Sequence, residues 1–104
     1  MARSLNHEVV IIGGGSAGIA TASSMLKRRP SLDIAIVEPS EDHYYQPGWT
    51  MVGGGVFDAP ATRRTTASVM PKQAKWLKQA AASFQPESNQ VTLAAGTTIT
   101  YRVL

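Results

Sequence analysis

His7-Glu8-Val9-Val10-Ile11-Ile12-Gly13-Gly14-Gly15-Ser16-Ala17-Gly18 is the stretch that decides how the rest of the chain is read. Val9 to Ile12 is a short β-branched run without polar interruption, the pattern of a strand covered on both faces in a parallel sheet. Three glycines follow. Ser16 to Arg29 then reads as a helix, with Ile19, Ala22, Ser23 and Leu26 near one face, and Pro30 stops it. Ile34 to Val37 is a second β-branched strand, ending in Glu38. Strand, tight turn, helix and strand within about 30 residues form one βαβ unit.

The turn has the form G-x-G-x-x-G, and each motif glycine has a physical task. Gly13 permits the tight turn, Gly15 leaves room for a pyrophosphate to approach the backbone, and Gly18 allows the helix to pack closely on the strand. Ser16 and Ala17 stand at the helix start, where free N–H groups and the helix dipole favour phosphate. Glu38 lies 20 residues after Gly18, where a carboxylate accepts hydrogen bonds from the hydroxyls of an adenosine ribose. Strand, turn, helix, second strand and acid together make the dinucleotide fingerprint, and a bare glycine-rich turn explains less of it. A P-loop is excluded because no Gly-Lys-Ser/Thr follows at the required offset. Ser16 does stand in a G-x-S-x-G spacing, Gly14 to Gly18, but the same residues complete the dinucleotide fingerprint, so it reads as a helix-start hydroxyl and not as a nucleophile. The fingerprint alone does not separate NAD from FAD.

Composition removes several other classes. The chain of 104 residues allows one domain, read here as 1–104, a nucleotide-binding domain of a longer polypeptide. A net charge of +3 is a weak basis for a nucleic-acid partner. Lys27-Arg28-Arg29 and Arg63-Arg64 lack the interleaved aromatics of a single-strand binder and read as solvated surface. The sequence contains no cysteine and only two histidines, so no metal site and no catalytic residue is assigned. No apolar run approaches the roughly 18 residues needed to cross a bilayer, and no signal-peptide core precedes Ile12. A cytoplasmic location, or a peripheral one at the inner face of a membrane, is expected.

Beyond Glu38 the pattern changes. Residues 39–71 carry four prolines and Gly53-Gly54-Gly55, and read as a long loop with short irregular helices. Trp76 to Phe84 is ambiguous: Ala80, Ala81 and Ala82 favour helix by propensity, while its shortness and Pro86 leave a strand open. Gln90–Leu93 and Thr97–Leu104 look like strands joined at Ala95-Gly96. The fold class expected is therefore α/β: a Rossmann-like βαβ unit, a long loop, and a short strand series. That layout resembles the first part of the two-dinucleotide-binding flavoprotein fold.

The stretch Glu38-Pro39-Ser40-Glu41-Asp42-His43-Tyr44-Tyr45-Gln46-Pro47-Gly48-Trp49-Thr50 closely resembles the sulfide:quinone oxidoreductases. The likeness continues through Thr66-Ala67-Ser68-Val69-Met70-Pro71 and Lys75-Trp76-Leu77-Lys78. The resemblance implies FAD as cofactor, with Ser16 and Ala17 on the pyrophosphate and Glu38 on the ribose. It also implies that Pro39 lies by the cofactor, that Gln46 reaches the flavin nucleotide, and that Ala81 offers its backbone to adenine. The last role makes Trp76–Phe84 a strand. The family takes two electrons from sulfide through the flavin to a quinone, using cysteines that this chain lacks. It meets the membrane through regions expected to lie outside these residues. A type II NADH:quinone dehydrogenase and a stand-alone nucleotide-binding module are the competing readings, and the Tyr-Tyr-Gln-Pro-Gly-Trp-Thr stretch argues against the first. Trp49 and Trp76 read as core anchors, Tyr44 and Tyr45 as loop packing, His43 as a surface or loop hydrogen-bonding residue, and Gly53–Gly55 as a simple loop or a helix end.

Overall fold

A computed structural model describes residues 4–45, 48–56 and 58–104. Strand β1 (Ser4–Ile12) leads into helix α1 (Ser16–Arg28) and then strand β2 (Ile34–Val37). β1 and β2 pair in parallel, Val9 against Ile34 through Ile12 against Val37, which is the βαβ unit read from the sequence. β1 begins earlier than its apolar run because strand β8 (Thr98–Val103) pairs along it from Ser4 to Val9. α1 starts and stops where expected, with Lys27 and Arg28 in its last turn, where cations favour the negative end of the dipole. Ala22 and Leu26 are buried and Ile19 and Met25 pack beside them. Ser23, expected on that face, is instead exposed.

The remaining strands are β3 (Asp42–Tyr44), β4 (Arg63–Thr65), β5 (Lys75–Leu77), β6 (Ala81–Gln85) and β7 (Gln90–Leu93). The main sheet runs β5-β2-β1-β8-β7-β6, parallel from β5 to β8 and antiparallel from β8 to β6. Trp76–Phe84 is therefore extended, as the resemblance implied, but it is two strands and not one. β5 and β6 are separated only by residues 78–80, yet they form the two opposite edges of the sheet. The sheet must roll over on itself for so short a link to join its edges.

That roll creates the core. β-strand side chains alternate between faces, so Val9, Ile34 and Ile36 turn toward α1, where they meet Ala22, Leu26 and Leu32. Val10, Ala35 and Val37 turn the other way, against Val91, Leu93, Ile99 and Tyr101 of the β6–β8 meander. Helix, parallel strands and meander thus form three layers, and β2 is buried on both faces along its length. The hairpin between β7 and β8 turns at Gly96, with φ +91°, at the position expected.

Residues 39–71 hold short helices, α2 (Trp49–Gly53) and α3 (Thr66–Val69), and a 3-10 turn at Ala59–Thr62. Gly53 and Gly54 end α2 and Gly55 takes φ +77°, so of the two roles expected, loop or helix end, it is the helix end. β3 and β4 pair in an antiparallel ladder inside the stretch whose sequence shows only a long loop with short helices, because strands of three residues carry no periodic signal. Neither tryptophan is a core anchor: Trp49 is half exposed and Trp76 partly buried. Among the described residues no helix is long and apolar enough to cross a membrane.

The junction of β1 and α1 allows no side chain at residue 18. A Cβ on Gly18 would lie 1.9 Å from the carbonyl oxygen of Gly13 and 3.2 Å from Cγ2 of Ile11. A Cβ on Gly15 would meet nothing within 4 Å. Gly18→Ala is expected to cost about 3 kcal/mol, the upper range for overpacking, and Gly15→Ala less than about 0.5 kcal/mol. Urea unfolding of the two variants checks the contrast, and equal stabilities would contradict the close packing at Gly18.

Candidate functional site: a glycine turn at the carboxyl end of the sheet

Of the four parallel strands, β1, β2 and β5 end at Ile12, Val37 and Leu77, and the candidate residues follow them: Gly13–Gly18, Glu38, and Ala81 just past β5. Open α/β sheets bind ligands at this carboxyl end. Gly13 turns the chain with φ +102°, in the region that favours glycine. Its N–H donates to the Val37 carbonyl at 2.8 Å, so the β1–β2 ladder extends one residue into the turn. A cavity of about 360 Å³ opens there, lined by Ile12, Gly13, Gly15, Ser16, Ala17, Gly18 and Tyr44. A cavity of about 300 Å³ lies near the other end of α1, among Glu8, Met25, Arg28, Arg29, Leu32 and Arg102. It touches neither the glycine turn nor Glu38 and is not the site.

Gly15 is the residue before α1, and no side chain caps the helix. The N–H groups of Ser16, Ala17 and Gly18 have no partner one turn back within the helix. Ser16 is half-buried and Ala17 exposed, both on the cavity wall. The space where a Gly15 Cβ would stand is open, which leaves the backbone approachable.

Glu38 is held from four directions. Its N–H donates to Leu77 O at 3.0 Å and its carbonyl accepts from Trp76 Nε1 at 2.9 Å. One carboxylate oxygen accepts the Gly14 N–H at 2.8 Å, the other the Ser40 N–H at 2.9 Å. An ionised carboxylate has about four acceptor sites, so two remain for ligand hydroxyls. Pro39 lies exposed between Glu38 and Ser40, inside the turn that the carboxylate closes. Ala81 opens β6, half-buried and paired with Leu93. Gln46 lies outside the described residues.

Three participants have no role at the site in the sequence reading. Gly14 is buried, and a Cβ on it would sit 2.9 Å from both Cβ and Cγ of Glu38. The signal was present: the motif requires two glycines here and the sequence supplies three. Tyr44 lines the cavity and stacks edge-on against Trp49, ring centroids 6.1 Å apart. His43 places Nδ1 3.2 Å from the Gly14 carbonyl oxygen, which gives the expected loop hydrogen bond a specific partner.

The loop is fastened by its own bonds. Thr66 is buried, its N–H on Glu41 O at 2.7 Å and its hydroxyl on Ser40 O at 2.9 Å. Arg63 pairs with Asp42, and that hydrogen bond, with the charge behind it, holds the guanidinium further above its ordinary range. Both partners are exposed, so the pair adds little stability. Among the described residues no three His, Asp or Glu side chains gather as a metal site.

A three-layered α/β unit with a glycine turn at the carboxyl end of its parallel strands is the nucleotide-binding fold of the flavoprotein oxidoreductases. NADH:rubredoxin oxidoreductase from Clostridium acetobutylicum shares it, with a TM-score of 0.68 over 94% of this chain and 26% of that one, at 21% identity. Within that class the chain is related to the N-terminal region of sulfide:quinone oxidoreductases. The mitochondrial sulfide:quinone oxidoreductase of Mus musculus is 40% identical over 99 residues, 95% of this chain and 22% of that protein. That of Dictyostelium discoideum is 44% identical over 98 residues, again 22% of its length. The solved sulfide:quinone oxidoreductase of the hyperthermophilic bacterium Aquifex aeolicus superposes with a TM-score of 0.78 at 29% identity, covering 91% of this chain and 22% of that one. The chain therefore spans about a fifth of the length of the relatives it matches. No protein-family model matches it.

The two N–H groups on the Glu38 carboxylate have no other acceptor among the described contacts. Glu38→Ala is expected to destabilise the ligand-free chain by about 1–3 kcal/mol, the cost of stranding donors from a charged partner. Chemical denaturation at neutral pH measures it. An unchanged midpoint would mean that the carboxylate is not fixed by Gly14 and Ser40.

Proposed function

We propose that this chain is the FAD-binding portion of a sulfide:quinone oxidoreductase, and that its glycine turn holds the adenosine diphosphate half of the cofactor. The observation that carries the reading is the meeting, at one end of the sheet, of an approachable glycine turn, an uncapped helix start and a fixed carboxylate, in a chain related along its length to such enzymes. The residues fit the group. Gly15 has open space where a pyrophosphate would approach, and the first N–H groups of α1 supply donors and a favourable dipole. The two acceptor sites left on Glu38 suit the paired hydroxyls of a ribose. Pro39, Gln46 and Ala81 are carried in the proposal as further cofactor contacts on the strength of the resemblance.

Bound flavin supplies two-electron transfer between sulfide and quinone in the whole enzyme. The residues of this chain bind and orient. Gly13 and Gly18 set the turn, Gly15 to Ala17 take the phosphates, and Glu38 selects an unmodified ribose, since a 2′-phosphate would face its negative charge. Tyr44 lines one side of the cavity. The sulfur chemistry needs thiolates, and these 104 residues contain no cysteine. Sulfide and quinone are proposed substrates of the whole protein, and a peripheral place at a membrane its proposed setting.

Gly15→Val is expected to weaken FAD or ADP binding at least tenfold, because a branched side chain would fill the phosphate approach while the open space leaves the fold intact. Calorimetric titration, alongside the unfolding midpoint, checks both halves. Normal affinity in Gly15→Val would refute the phosphate cradle. The 104-residue chain is expected not to reduce a short-chain quinone with sulfide above a protein-free control holding the same FAD. Clear turnover in that spectrophotometric assay would place sulfur chemistry on residues with no thiol.

A further inference from the structure

We infer that His43 is a positioning residue for the pyrophosphate: it fixes the peptide between Gly14 and Gly15 and so sets the direction of the Gly15 N–H. The inference rests on the nucleotide reading of the glycine turn and adds a residue to it. Three consecutive glycines make the turn easy to form and hard to order, because glycine loses more backbone freedom on fixing than any other residue. Residues 13–15 have no side chains with which to brace themselves. They are braced from outside. The Gly14 N–H is taken by the Glu38 carboxylate at 2.8 Å, and the Gly14 carbonyl lies 3.2 Å from His43 Nδ1. A carbonyl oxygen only accepts, so the proton of this hydrogen bond is on Nδ1.

The peptide group is planar and trans, so its carbonyl and the following N–H point in opposite directions. Fixing the Gly14 oxygen therefore fixes the Gly15 N–H, in a residue that lines the cavity. His43 is well supported for this task. It is the middle residue of β3, half-buried and paired across the small ladder with Arg64. The loop just before β3 is tied down by Thr66, through Glu41 O and Ser40 O. Tyr44, the next residue, lines the same cavity, so one hydrogen bond sets the glycine turn and its facing wall together. A turn ordered in advance spares the ligand that cost on binding.

The test compares the wild-type 104-residue chain with His43→Phe, which keeps a ring without a donor, and His43→Asn, whose side-chain N–H stands close to that of Nδ1. ADP is titrated by calorimetry, and the Gly15 amide signal is followed by NMR in the ligand-free proteins. The expected result is about 3- to 10-fold weaker ADP binding in His43→Phe, the scale of one hydrogen bond. His43→Asn should return to within about twofold of wild type, with the Gly15 signal displaced in the first variant and restored in the second. Wild-type affinity in His43→Phe overturns the inference, as does His43→Asn binding as weakly as His43→Phe. Should His43→Phe fail to fold, His43→Ala takes its place as the variant without a donor, with the same expected loss of ADP affinity, and wild-type affinity in it overturns the inference. Wild-type protein that fails to bind ADP brings down the nucleotide reading and this inference with it, whereas binding that is equal in all three removes only the role of His43.

Discussion

The carbonyl oxygen of Gly13 occupies the space that any side chain at residue 18 would need, 1.9 Å from an ideal Cβ there. Because residue 18 is glycine, the first turn of α1 can lie directly over the end of β1. Helix and strand then share the contact at Ile11, and further along Ala22 and Leu26 come down on Val9, Ile34 and Ile36. Move the helix outward by a methyl group and two things change together. The α1 face of the core loosens, and the helix start no longer meets the turn that lines the cavity. Packing and ligand geometry thus depend on the same missing atom.

The other face of the sheet is organised by a different constraint. The link at residues 78–80 must join the two edges of a six-stranded sheet, so the meander folds back over β1 and β2. Val91, Leu93 and Ile99 then bury the faces of Val10 and Val37. This leaves β2 without solvent contact on either side and delivers Glu38 to the sheet's carboxyl end with its backbone fixed by β5. The carboxylate in turn grips Gly14. The site is therefore not a loop resting on a scaffold. Its acid is the continuation of the most buried strand, and its turn is an extension of the β1–β2 ladder.

The sequence made β1, α1, β2 and the β7–β8 hairpin legible because each has its own local signal: a β-branched run, a 3.6-residue period closed by Pro30, or a Gly at a turn. The strands β3 and β4 have three residues each, too few for periodicity to show. Ala80–Ala82 favour helix locally, and pairing with β7 overrides that preference. The separation of β5 from β6 is a property of the rolled sheet and has no local signature. At the site, Gly13, Gly15, Gly18 and Glu38 were readable from spacing. Gly14 is explained by the Glu38 side chain against it, and His43 by a carbonyl 29 residues away, and both relations exist only after folding. Trp49 shows the reverse error: a large aromatic is usually buried, but this one stands half exposed against Tyr44.

The central claim is that the glycine turn and Glu38 form one nucleotide site. Mapping backbone amide shifts of the isotopically labelled chain during titration with FAD tests it most directly. The account predicts saturable shifts concentrated at Gly13–Gly18 and around Glu38, with the Arg28, Arg29 and Arg102 end of α1 unmoved. Saturable shifts centred on that opposite end, or none at the turn, would contradict it.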